Sequence, residues 1–206
     1  MPGGVSMKSR TIWIWQALIQ LLFVFSAAVA IGLLGFIMEK EYDLESVLFF
    51  ASMYGLIMGP ALDPTIFRNP VAMAVSMGET RKGICLGLEL TRAIYMIGIY
   101  ALFALTVTVS PFQEVSTGVI LFGYLGVLVS VSAISAIFSA LTYQRGSNCI
   151  WLRLLDGVLS AIHLLIFLLL AKFSIVSVLA LAEGVLLTIL SVHIEKKVLF
   201  KWNYRA

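Results

Sequence analysis

Two ionisable side chains stand inside long apolar runs and are the first candidates for chemistry: Glu183, within 175–194, and His163, within 154–171. A carboxylate and an imidazole at such depth can pass a proton, line a polar path or tie helices together. For Glu183 the residues leave two readings open, a group bonded to a neighbouring helix and a group lining a pathway. His163 reads as a satisfied structural histidine. Glu89 and Arg92, and likewise Arg153 and Asp156, are spaced to meet on one helix face and read as structural or solvated pairs. The chain contains no H-E-x-x-H, no G-x-S-x-G and no G-x-x-x-x-G-K-[ST], so the usual zinc hydrolase, serine hydrolase and P-loop signatures are missing. Cys85 and Cys149 lack metal-ligand spacing and read as free thiols. No catalytic residue, metal site or cofactor of its own is expected.

The elements that must position these groups follow from composition. The chain has 206 residues, of which 61% are hydrophobic and 12% charged. Its mean hydropathy is +1.02. Soluble domains run at about half apolar and about a quarter charged, so a soluble fold is excluded as the expectation. Apolar runs of about 18 residues or more can cross a hydrocarbon core. They do not alternate with period two, and within lipid the backbone must then satisfy itself as helix. Six spans are predicted, at about 12–38, 46–62, 83–109, 117–141, 154–171 and 175–194. The fold class is all-α, a single polytopic transmembrane domain over residues 1–206. Ala28-Val29-Ala30 resembles a signal cleavage site, but the apolar run continues to Met38 and predicts a retained span.

Basic residues orient the spans. Twelve of the 14 Lys and Arg (Lys8, Arg10, Arg68, Arg81, Lys82, Arg92, Arg145, Arg153, Lys196, Lys197, Lys201 and Arg205) fall on one side; the other two are Lys40 and Lys172. The positive-inside rule puts the richer side, and both termini, in the cytoplasm. Trp13, Trp15, Trp151 and Trp202 fall near that interface, where amphipathic rings are favoured. The formal charge of +3 is too small to suggest nucleic acid as a partner. The expected location is a cell membrane, the bacterial cytoplasmic membrane, with the lipid bilayer as solvent.

Small residues recur at four-residue spacing at Ala51, Gly55 and Gly59 and at Ser132, Ala136 and Ala140. Such faces let membrane helices approach closely. They serve either packing within the chain or contact with a second copy.

Between spans two and three lies the most informative segment. A short apolar run, 71–77, meets Gly78-Glu79-Thr80-Arg81-Lys82 and re-enters a span through Gly83 and Gly87. Residues 67–78 are predicted to form a short cytoplasmic helix or helix-turn. Here the chain resembles the small six-span permeases of ABC transporters of the type-2 exporter class. Their loop between spans two and three reads as a short apolar helix, then Gly-x-(Ser/Thr)-Arg-Lys and Gly. Ser76, Gly78, Thr80, Arg81, Lys82 and Gly87 match; Gly83-Ile84-Cys85 departs, since aromatic residues are common there. The resemblance covers the whole topology. It implies that Phe67, Arg68, Met73, Ser76, Met77, Gly78, Glu79, Thr80, Arg81 and Lys82 couple to a separate ATPase subunit. That partner would hold ATP and Mg, and a second permease copy or paralogue would complete the path. Short outer loops suggest an exporter of a peptide, lipid or drug-like substrate. Two alternatives share the composition: the substrate-capturing membrane subunit of a vitamin importer, and an intramembrane enzyme centred on Glu183 and His163.

Overall fold

The computed structural model describes residues 7–39, 44–109, 116–145, 150–170 and 173–201; within these, side chains are described except at 7–10, 28, 31–39, 44–46, 58–70, 143, 145 and 199–201. Six helices follow in order: α1 Met7–Glu39, α2 Leu44–Ser76, α3 Arg81–Val109, α4 Thr117–Arg145, α5 Ile150–Leu170 and α6 Ser174–Lys201. No strand occurs among the described residues. Four helices, α3 to α6, carry stretches long and apolar enough to cross a membrane. The described apolar stretches of α1 and α2, Thr11–Ala27 and Val47–Ile57, are shorter.

Helix α4 is the axis. It contacts α2, α3, α5 and α6, whereas α1 lies against α2 and α3. The core is aromatic at its centre: Phe103 of α3 stacks on Tyr124 of α4 at 3.8 Å between ring centroids, and Phe167 of α5 meets both edge-on. Tyr124 donates to the Ser52 carbonyl at 2.8 Å and Tyr95 to the Gly55 carbonyl at 2.7 Å, so two phenols tie α4 and α3 to α2. Each phenol thereby finds an acceptor that an apolar core otherwise lacks.

Outward faces are apolar. Leu165, Leu169, Val178, Leu179, Leu186 and Ile189 are all exposed. In water a surface of that kind invites aggregation; against acyl chains it is the matching solvent.

Two predicted boundaries are corrected. The second helix does not end at residue 62, where the second span was predicted to stop before Asp63-Pro64, for α2 runs unbroken from Leu44 to Ser76, through Pro60, Pro64 and Pro70. Its 33 residues rise roughly 50 Å at about 1.5 Å each, more than the ~30 Å of a hydrocarbon core. Prolines are tolerated in such helices because neighbouring groups take up the freed carbonyls. Residues 67–76 are therefore the last turns of α2, not a separate short helix. Helix α6 likewise continues past Ile194 to Lys201, which brings Glu195 into the bundle.

Candidate functional site

The α2–α3 turn explains most of the Gly-x-Thr-Arg-Lys motif by backbone chemistry. Gly78 has φ +74° and follows the end of α2. Its N–H bonds to the Val75 carbonyl at 2.9 Å, and that of Glu79 to the Ala74 carbonyl at 2.9 Å. That double closure is a Schellman ending, which calls for a residue free to adopt the left-handed region. Thr80 then caps α3: its hydroxyl oxygen accepts the Gly83 N–H at 3.1 Å. Gly87 lies under the Trp13 indole, where any Cβ would collide with the ring. Three motif positions are thus structural.

What turn chemistry does not explain is the outer surface. Val71 and Ala74 face inward and are buried with Trp13, Ile84, Leu88, Ala140 and Val198. Met73 and Met77, one turn apart, stay exposed at 54% and 47%. Ser76 is also exposed, and its hydroxyl donates to the Met73 carbonyl at 2.7 Å. Arg81 and Lys82 occupy the first turn of α3, and the Glu79 side chain reaches over that turn to Gly83. Positive charge there opposes the helix dipole, by about 0.3–1 kcal/mol per residue at exposed sites. Phe67 and Arg68 lie outside the described side chains.

Near the middle of α5 and α6 the two residues first singled out come together. His163 Nε2 lies 3.1 Å from Glu183 Oε1, and His163 Nδ1 lies 2.8 Å from the Leu159 carbonyl. The Glu183 side chain is 50% exposed and that of His163 17%. So Glu183 does not stand as a lone charge, although half of its surface faces outward.

A second charged centre contains the predicted Glu89–Arg92 pair and adds Glu195, which sequence reasoning missed. Arg92 is 6% exposed and its Nη1 contacts Glu195 Oε1 at 2.5 Å; Glu195 is 2% exposed. Glu89 adds a contact to the same nitrogen at 3.2 Å. The Arg92–Glu195 approach is one of charges, without aligned hydrogen-bond geometry at that oxygen. Ser177, Gly184, Ser191 and Val198 are buried at seven-residue intervals along α6, with Glu195 one turn beyond Ser191. That stripe is the signal that would have placed Glu195 inward. Asp156 and Ser160 of α5 and Ser135, Ser139 and Thr142 of α4 are also buried, whereas Arg153 is exposed.

The predicted packing faces fare unevenly. Ala51, Gly55, Ala136 and Ala140 are buried, and Ser132 is half-buried. Gly59 lies outside the described side chains. A Cβ on Gly55 would collide with Ile99 Cδ1, and a close approach of backbones involves another glycine: a Cβ on Gly126 of α4 would meet the Leu181 nitrogen at 2.6 Å and the Ala180 carbonyl carbon at 2.7 Å. Helices α4 and α6 thus touch backbone to backbone, with Ser177 donating to the Val119 carbonyl at 3.0 Å and Ser130 to that of Ala180 at 3.3 Å. Cys85 is buried and unbridged, and Cys149 lies outside the described residues. Among the described residues no group of His, Cys, Asp and Glu could hold a metal ion. No protein-family model, curated protein or solved structure matches the chain.

Proposed function

We propose that this chain is the permease subunit of an ATP-driven ABC transporter of the type-2 exporter class. In this reading it has six spans, both termini are cytoplasmic, and it sits in the bacterial cytoplasmic membrane. The observation that carries the reading is the pair Met73 and Met77, exposed on a firmly capped turn beside Arg81 and Lys82. An apolar helix face flanked by charge suits a groove on a partner protein. The partner is a separate ATPase that binds ATP and Mg, and a second permease copy or paralogue lines the path with this one. Closure of the ATPases rocks the bundles against each other, a domain-scale transition. The substrate class is a peptide, lipid or drug-like molecule.

The test is recovery of an ATPase with the tagged chain from its native host, and transport by the complex. Met73→Glu and Met77→Glu would each require a charge to be desolvated in the contact, and should lower ATPase recovery at least tenfold at unchanged membrane level. No ATPase with the unaltered chain, or full recovery and transport with both variants, defeats the reading.

A further inference from the structure

His163 and Glu183 face each other through Nε2 and Oε1. A carbonyl oxygen only accepts, so the 2.8 Å contact with Leu159 puts a hydrogen on Nδ1. The 3.1 Å contact between Nε2 and Oε1 then forms in one of two ways. Either an imidazolium donates to a carboxylate, or a carboxylic acid donates to a bare nitrogen. Both states contain the same number of protons and have zero net charge, as an apolar setting requires. Loss of that proton leaves the site with one negative charge and a bond with no hydrogen in it.

The surroundings decide what can replace the proton. Helices α5 and α6 both lie on α4 but make little backbone contact with each other, so this side-chain bond bridges them. At helical neighbour positions of the pair the exposed side chains are apolar: Ile162 and Ile166 beside His163 on α5, Leu179 and Leu186 one turn either side of Glu183 on α6. Other described titratable groups stand away from the pair. On the same helices the nearest are Asp156, seven residues before His163, and His193, ten residues after Glu183. Among the helices packed against them, α4 offers Tyr124, bonded to Ser52, and α2 offers Tyr54. The contact of α3 with α6 includes Arg92 and Glu89 at Glu195, twelve residues from Glu183.

We propose that the His163–Glu183 pair is a binding site for a lipophilic monovalent cation, taken up in exchange for one proton. The cation's charge meets the carboxylate, and its apolar body is covered by Ile162, Ile166, Leu179 and Leu186. One N–H or O–H bond breaks, the proton passes to water, and the site is neutral before and after. No oxidant, reductant or nucleotide takes part, so the site does not depend on ATPase docking.

Equilibrium binding of radiolabelled tetraphenylphosphonium to the purified full chain in detergent tests this. The expected result is one saturable site with one proton released per cation into weakly buffered solution. Affinity should rise up to tenfold per pH unit while the pair keeps its proton. Glu183→Gln, which can still bond to His163, should weaken binding at least tenfold with its melting and elution profile preserved. Absence of saturable binding, binding without proton release, or equal binding by Glu183→Gln overturns the proposal. A dimer that dissociates in Glu183→Gln, with no cation bound by either form, assigns the face to a second copy and also overturns it.

Discussion

Arg92 of α3 and Glu195 of α6 form an ion pair in which both side chains are almost wholly withdrawn from solvent. Removing one partner of a buried pair leaves the other uncompensated, which typically costs about 3–5 kcal/mol. Arg92 keeps its contact with Glu89, so Glu195→Ala should cost about 3 kcal/mol, the low end of that range. The apolar double variant Arg92→Met, Glu195→Leu should recover much of that loss. Thermal unfolding in detergent measures both. Equal melting of Glu195→Ala and the unaltered chain would show that the pair does not hold α3 to α6.

Gly126 should tolerate no side chain, whereas Gly157 should. A methyl at 126 meets the backbone of α6, which must shift; overpacking of this kind costs about 1–3 kcal/mol. At Gly157 the added carbon finds nothing within 4 Å, and relief of glycine's conformational entropy gains roughly 0.5–1 kcal/mol. Melting of Gly126→Ala and Gly157→Ala should therefore move in opposite directions.

The capped turn and the exposed methionines should separate by experiment. Thr80→Ala removes an N-cap worth about 1 kcal/mol. Gly78→Ala forces a side chain into the left-handed region, also at about 1 kcal/mol. Both should lower the melting temperature of the isolated chain. Met73→Glu changes an exposed side chain and should leave melting within about 0.5 kcal/mol. A large loss with Met73→Glu would mean that the residue is structural.

Topology is open to direct measurement. In a background with Cys85 and Cys149 replaced by Ser, a cysteine at the exposed Met73 should label from the cytoplasmic side. One at the exposed Thr117, at the start of α4, should label from the outside. Labelling of both from one side would overturn the six-span arrangement.

Particular residues show what the sequence made legible. Apolar runs gave the helices, because crossing length and helical hydrogen bonding leave little choice. Gly78 and Thr80 were legible as turn residues, since their roles depend on near neighbours. The run from Leu44 to Ser76 was misread because Pro64 speaks locally for a break, yet the helix passes through it. His163 and Glu183 stood out by type, but a separation of 20 residues does not reveal how two helices are rotated towards each other. Glu195 falls just beyond the predicted end of the sixth span at residue 194; only the seven-residue stripe of α6 turns it inward.

The prolines of α2 give that helix uneven stiffness. Pro60, Pro64 and Pro70 lack an N–H, so no helical bond reaches the carbonyls of Leu56, Pro60 and Ile66. Above this zone, Ser52 and Gly55 are fastened by Tyr124 and Tyr95; below it, Val71 and Ala74 are embedded among α1, α3, α4 and α6. Bending concentrates where a helix has lost its own bonds. The stretch of α2 with the fewest internal bonds thus lies between two anchored ends, one fastened at Ser52 and Gly55 and the other packed at Val71 and Ala74.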